Sequence, residues 1–430
     1  MHVRWTLASI ALLFPVTLPA QVLPPDEGKA MTTAEIERDK LHYLEVERIL
    51  RPFAVGPDGK PKDSFARQSW AEAVAWMTGQ RPVEPITDTG DPVALARIAA
   101  AEPQDAIAAI VERARTTSVV FLNEAHGVPR SRAFALQVAE ALRPLGYSIL
   151  AVETLDNSGG SAKADARLDR IAANGYVESG DGYYLRDPVF ADFLRQAIAR
   201  GYRLASYEQT PDQRGSRDSR EMSIAKREQA QADYLLNRVV NRFPGRKVLV
   251  YVGYSHATEA AQPDTGTGEL RWLATRFKAM TGIDPLTIDQ TTLMLDGRAE
   301  DATPLARAAS AKVTGDRSAI LTAAGKPLIV GLYAGLVDLQ VVHPALPDRD
   351  GRPGWLAAAM HRTPTSIPID LLPKSGRRLV QAFVVGEGTG TMPVDQVLVE
   401  AGKPVPMLLL PALPTRWAVQ QPGVIKIDSH

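Results

Sequence analysis

The 430-residue chain contains no cysteine, which excludes disulfides, thiolate metal sites, a cysteine nucleophile and a lipid-modified N-terminal cysteine. It also lacks net charge, since 49 basic side chains balance 49 acidic ones. That argues against a nucleic-acid partner, because such binding draws on a basic face that releases counterions. No apolar stretch, the N-terminal run included, is long enough to cross a bilayer. No segment repeats at a fixed period, and none is of low complexity. What is present is ordinary for a folded chain: 45% apolar and 23% charged residues, with length for two to three domains. Acid/base or metal chemistry must therefore come from the seven histidines, the carboxylates and the hydroxyls.

The apolar run from Thr6 to Leu18 follows His2 and Arg4, is broken by Pro15, and ends at Pro19-Ala20-Gln21. This pattern is a signal peptide over residues 1–20 rather than a membrane span. The expectation is a secreted protein, most simply a periplasmic one, with no membrane span after cleavage. Residues 21–95 read as a helical lead-in and linker, with helix-like spacing over Thr32–Leu50 and Ser69–Met77 and a Pro/Thr/Asp/Gly linker over Pro82–Pro92.

From 96 to 300 short β-branched runs alternate with helical patterns. The runs are Ser118–Leu122, Tyr147–Val152, Tyr202–Tyr207, Lys247–Val252 and Pro285–Ile288. Helices are expected over Arg132–Leu145, Val189–Arg200, Ser219–Phe243 and Leu270–Met280, each closed by a glycine near its end. Continuous apolar strands joined by crossover helices define an α/β class with a parallel-sheet core covered on both faces. Residues 301–430 read as a smaller β-rich or mixed unit, or an extension of the sheet's edge, with strands near Val337–Val342, Arg378–Val385, Gln396–Val399 and Met407–Leu410.

Ligands of a parallel α/β sheet bind beyond the carboxyl ends of its strands. The first run ends in Glu124-Ala-His126, the second in Glu153, the third in Glu208, and the fourth in Gly253-Tyr-Ser255-His256. A single glutamate or histidine at such a position is more often a helix cap or a satisfied core residue. Four successive strands ending this way are different, because buried carboxylates need cations, metal or shared protons. Arg130 and Arg132 follow the first motif, and Arg227 with Glu228 lies on the helix before the fourth strand; they are candidates to orient the carboxylates or grip a substrate.

This series of motifs resembles the ChaN-like/erythromycin esterase superfamily, and distantly the TIKI/TraB-type metalloproteases. The resemblance spans about residues 105–295 and rests on Glu124 and His126, Glu153, Arg227-Glu228, and Gly253 with His256. It implies a hydrolase of ester or amide bonds acting on a small-molecule substrate, with Glu124, His126, Glu153 and His256 as catalytic residues. Asn123 stands where the family has glycine, Arg130 and Arg132 replace further histidines of ChaN members, and the Glu–His spacing is one shorter than in the esterases. These departures weaken any transfer of haem or macrolide as ligand.

The chemistry expected at this edge has His126 as general base, oriented by Glu124 or Glu153, and His256 as a proton donor or oxyanion stabiliser. A variant uses His126, His256, Glu124 and Glu153 to hold Zn²⁺, Mn²⁺ or Fe. Two alternatives stay open. One is a carrier of haem or another iron compound, with Tyr183, Tyr184, Tyr207, Tyr254 and His126 as axial candidates. The other treats Gly253-Tyr-Ser255-His-Ala257 as a nucleophile elbow, Ser255 attacking with His343, His361 or His430 as its base. Gly386-Glu-Gly-Thr-Gly390 reads as a hairpin turn rather than a phosphate loop, and Asn157–Ser161 as a loop beside the site. The oligomeric state is not legible.

Overall fold

The structure, a computed structural model, describes residues 24–82, 90–215, 218–264, 268–296, 302–421 and 424–426. The signal-like run 1–20 and His430 lie outside the described residues. Four helices lead in: α1 (Pro25–Asp39), α2 (Tyr43–Ala54), α3 (Ala66–Thr78) and α4 (Pro92–Ala99). There follow β1 (Glu102–Asp105), α5 (Ala106–Ala114), β2 (Val119–Glu124), α6 (Pro129–Leu142), β3 (Tyr147–Val152), α7 (Ser161–Asn174), α8 (Pro188–Ala199) and β4 (Arg203–Ser206). Helix α9 (Arg220–Tyr234) leads to β5 (Lys247–Gly253), the small hairpin β6 (Gln262–Asp264) and β7 (Gly268–Leu270), α10 (Leu273–Thr281) and β8 (Leu286–Asp289).

The apolar runs form strands because both their faces are buried. Every residue of β2 and β3 is buried. Val120 and Leu122 pack on one side with residues of α5, α6 and α8, while Val119 and Phe121 pack on the other with α9 and α10. Glycines stop the helices as expected: Gly201 after α8 and Gly282 after α10 have φ of +84° and +69°, a region that favours glycine. The expected 219–243 helix is interrupted, since α9 passes into a π-turn over Leu235–Val240.

The main sheet does not end at residue 300. Helix α11 (Pro304–Ser310) is followed by β9 (Ala319–Ala323), β10 (Lys326–Pro327) and β11 (Leu339–Val342), and the order across the sheet is β1-β9-β11-β8-β2-β5-β3-β4, with β10 on β9. The six strands from β11 to β4 run parallel, and β9 turns against them at one edge. The strand expected at Val337–Val342 thus lies between β8 and β9. The register of β2 on β5 sets Val119 against Val248 and Glu124 against Gly253, so both strands end at one level.

After α12 (Leu356–Ala359), β12 (Thr363–Thr365) pairs with β15 (Leu408–Leu410), and β13 (Arg377–Val384), β14 (Asp395–Glu400), β16 (Thr415–Gln421) and β17 (Val424–Lys426) form an antiparallel sheet ordered β14-β13-β16-β17. Gly386–Gly390 lies in the connection of the β13–β14 antiparallel pair, as a hairpin requires. Buried ion pairs fasten this unit to the core. Arg362 reaches Asp192 of α8 at 2.6 Å and the Leu409 carbonyl at 3.1 Å, and Arg195 of α8 holds Glu387 at 2.7 Å. Removing one member of a buried pair leaves an uncompensated charge, so Arg362→Ala is expected to cost about 3 kcal/mol or more in urea unfolding. An unchanged midpoint contradicts that.

Candidate functional site

The charged groups sit at the carboxyl ends of the strands, in the turns just beyond them and on the covering helices. Glu124 is the last residue of β2 and is buried. Its Oε1 lies 2.9 Å from His126 Nδ1, and its Oε2 accepts from Arg132 Nε at 2.9 Å and from the Tyr251 hydroxyl at 2.9 Å. Burial alone pushes the Glu124 pKa up; Arg132 and His126 outweigh it and hold the carboxyl at about 2. Burial also drives the Tyr251 phenol well above its ordinary value, so it stays a donor. An ionised carboxylate only accepts, so His126 presents Nδ1–H to Glu124 and keeps its lone pair on Nε2. Among the described residues Nε2 makes no hydrogen bond.

Arg132 is fully buried on α6. Beyond Glu124 it reaches Asp187 at 2.6 Å and the His126 carbonyl at 2.5 Å, with Phe190 under its guanidinium at 4.7 Å. Asp187 caps α8 by accepting from Val189 N–H at 3.0 Å, so the helix start and the ion pair share one carboxylate. The His126 ring stacks on Tyr184 (centroids 4.3 Å, planes 11° apart) and meets Tyr254 edge-on at 5.2 Å. Tyr254 has φ +42°, a strained value for a non-glycine residue. Asn123 stabilises that turn by donating to the Tyr254 carbonyl at 3.1 Å and to Asp289 at 2.9 Å.

A second cluster abuts the first. Glu153 follows β3; its Oε2 accepts from Gly253 N–H and its Oε1 from Arg227 Nη2, both at 2.5 Å. Burial raises its pKa, but His256, Arg227 and His126 bring it below the ordinary carboxylate range. Arg227 also grips Glu208 through Nε at 2.8 Å, and Gln231 donates to Glu208 at 2.9 Å. His256 lies between Glu228 (2.8 Å at Nδ1) and Arg227 (2.9 Å at Nε2), with Glu153 3.6 Å away. Burial lowers the His256 pKa; Glu228 and Glu153 more than reverse this, so it is raised. A guanidinium only donates, however, so in this arrangement Nε2 carries the lone pair and Nδ1 the proton. His256 thus has both ring nitrogens engaged, by Glu228 and by Arg227, and braces the guanidinium.

Gly253 joins the clusters by having no side chain. A Cβ there would stand 2.3 Å from His126 Cε1, 2.5 Å from its Nε2 and 3.2 Å from Glu153 Oε2. Glu124, His126, Glu153, Glu208, Arg227, Glu228 and His256 thus converge at one mouth of the sheet. Arg130 does not join them. It donates to the Leu295 and Pro344 carbonyls at 2.8 and 2.7 Å, and burial lowers its pKa to about 10, so it ties loops together instead of orienting substrate.

Ser255 lies 3.2 Å from the Tyr333 hydroxyl and, among the described residues, bonds no imidazole. His343 is bonded to Ser318 at 2.8 Å and His361 to Glu140 at 2.8 Å, while the segment after β5 is a single 3₁₀ turn, Tyr254–Ala257. Among the described residues no serine triad is assembled. A metal does not fit the residues either: among the described residues no three His, Asp or Glu side chains converge as ligands, and Arg227 already engages the His256 Nε2 lone pair. Of the axial candidates for haem, Tyr207 donates its hydroxyl to the Tyr251 carbonyl at 2.9 Å and Tyr183 to Glu72 at 3.0 Å.

Sequence reading missed Tyr251 and Asp187 as parts of this site, and weighed Tyr184 only as a haem ligand. A tyrosine inside a doubly buried strand must find a partner for its hydroxyl, and Asp187-Pro188 is a helix-start signal, so both missed residues left traces.

No family model and no curated protein matches the chain. Among solved structures it is similar to RRSP, a MARTX toxin effector domain from Vibrio vulnificus, over 59% of its length and 55% of that chain, with 15% identity and a TM-score of 0.33. Similarity of the same order (15% identity, TM-score 0.33) extends to a structure described as bacterial protein toxins, over 61% of this chain and 58% of that one. The chain thus spans less than two-thirds of these toxin structures. ChaN of Campylobacter jejuni, a structure with cofacial haem, is similar over 55% of this chain and 92% of its own, at 8% identity and a TM-score of 0.34. The resemblance read from the motifs has no counterpart in a family model.

Two outcomes are expected. Gly253→Ala must displace His126 or Glu153 and should cost about 1–3 kcal/mol in denaturant midpoint while shifting the His126 ring resonances. Retention of both would place the ring elsewhere. Because the folded-state pKa of Glu124 is depressed, its contribution, of order 3 kcal/mol, is full above pH ~4.5 and fades as pH falls toward 2. Glu124→Gln should flatten the loss of stability between those pH values, and a variant as acid-sensitive as the parent would contradict the pairing.

Proposed function

We propose that the chain hydrolyses an ester or amide of a small molecule at this mouth, with His126 as general base. The observation that carries the reading is the one imidazole nitrogen left open, His126 Nε2, in a cluster whose neighbouring charges are paired. Water gives a proton to Nε2 and its oxygen attacks the carbonyl carbon. The resulting oxyanion is stabilised by positive charge on Arg227, which Glu153, Glu208 and His256 hold in place. Collapse of the intermediate expels the alcohol or amine, which takes the proton back from His126. Glu124 fixes the tautomer and favours the imidazolium that forms midway.

The same proposal includes export, supported by the run Thr6–Leu18. Sequencing the N-terminus of protein from a periplasmic fraction should find the chain beginning near Gln21; one retaining Met1 contradicts export with cleavage.

In a panel of chromogenic esters and amides, His126→Ala should lower kcat/KM by ~10²–10⁴, the usual worth of general base assistance. Ser255→Ala should leave it essentially unchanged, as should dialysis against EDTA. Loss of activity only in Ser255→Ala would install a serine hydrolase instead, and a purified protein with a Soret band and no turnover would install the haem carrier.

A further inference from the structure

A cavity of about 330 Å³ opens at the carboxyl ends of β3 and β4, beside the charged mouth and apart from it; Asn157, Ser161, Thr210, Asp212, Tyr234 and Arg238 line it. We infer that it is a binding subsite for a neutral, hydroxyl-rich ring, such as a sugar unit. The volume suits one small ring, at the low end of the roughly 300–1,000 Å³ of ligand sites.

The chemistry of the walls selects the ligand. An anion is not called for, because the Arg238 guanidinium is already committed to Asp165 at 2.8 Å and to the Asn157 side-chain oxygen. A cation finds a single lining carboxylate, Asp212, and that one is exposed to water. An apolar ligand would cover the hydroxyls of Ser161 and Tyr234, which make no hydrogen bond among the described residues, whereas the Thr210 hydroxyl and the Asn157 amide are held by Gln213 and the Glu208 carbonyl. What remains is a ring with several donors and acceptors on its edge and C–H groups on its face. Tyr234 offers a half-buried aromatic surface, with Arg238 5.9 Å from its centroid, and among the described residues its hydroxyl makes no hydrogen bond. It closes α9 just where the backbone passes into the π-turn, an irregularity often found at functional positions.

The cavity is wired to the charged mouth. Asn157 donates to the Glu208 carbonyl at 2.9 Å, and the Glu208 carboxylate holds Arg227. Tyr234 lies seven residues after Arg227 on the same helix, about 10 Å along its axis at ~1.5 Å per residue. A ring seated on Tyr234 therefore leaves its linkage within reach of Arg227. On the hydrolytic reading, on which this last step rests, the substrate is an ester or amide carried by a hydroxyl-rich moiety.

The test titrates the full chain with methyl β-D-glucoside, methyl β-D-galactoside and N-acetylglucosamine, with glutamate and inorganic phosphate as charged comparators, by saturation-transfer NMR and calorimetry. At least one neutral sugar should bind saturably. Tyr234→Ala should weaken it about tenfold, the worth of one aromatic contact. Ser161→Trp fills the cavity without removing a recorded hydrogen bond and should abolish binding. His126→Ala should bind as the parent does, which separates this inference from the catalytic one. No saturable binding of any sugar, preference for the charged comparators, or sugar binding unaltered in Ser161→Trp would overturn it.

Discussion

Two guanidinium groups hold the strand ends together. Arg132 binds Glu124 and Asp187, and Arg227 binds Glu153 and Glu208 while touching His256, so five acidic or imidazole side chains answer to two cations. Taking a carboxylate out of water costs several kcal/mol unless a charge and hydrogen bonds replace the solvent. Arginine suits this task because its planar fork serves several acceptors at once and never loses its proton. The positions of Glu124 and Glu153, and hence of both histidines, follow from where these two forks can reach.

The architecture explains how such forks come to be buried. Parallel strands covered by helices on both faces bring their carboxyl ends to one level, and the pairing of Glu124 with Gly253 sets the first cluster against the second. Helix α6 supplies Arg132 from one layer, while α9 supplies Arg227 and Glu228 from the other. Asn123, Asp289, Gln290 and Gln340 form a connected polar network beneath the strand ends. It holds the carbonyl of the strained Tyr254 and keeps that ring against His126. A network whose groups are this well connected specifies one arrangement, which a site of this kind needs.

Much of this was legible in the sequence, for identifiable reasons. The runs at 118–122, 147–152 and 247–252 are apolar on both faces, and that composition has few uses besides a covered parallel strand. Glu124, His126, Glu153 and His256 were placed together by the rule that strand ends share an edge. Arg130 looked equivalent to Arg132, two residues on; only the fold reveals that one finds carbonyls and the other carboxylates. That the tail extends the main sheet's edge was one of two open readings, and the order in which β9 and β11 enter it was not legible. Sheet order is decided by packing between segments far apart in sequence, and β11 is only four residues long. The contact of Arg227 with the Nε2 of His256 was hidden for a similar reason, since nothing local announces it.

The account stands on the state of one ring. The long-range ¹H–¹⁵N spectrum of His126 in its neutral form reads the tautomer directly. The prediction is a protonated Nδ1 bonded to Glu124 and an Nε2 with the shift of an unprotonated, unliganded nitrogen. A proton on Nε2, or the shift of a metal-bound nitrogen there, would contradict the account.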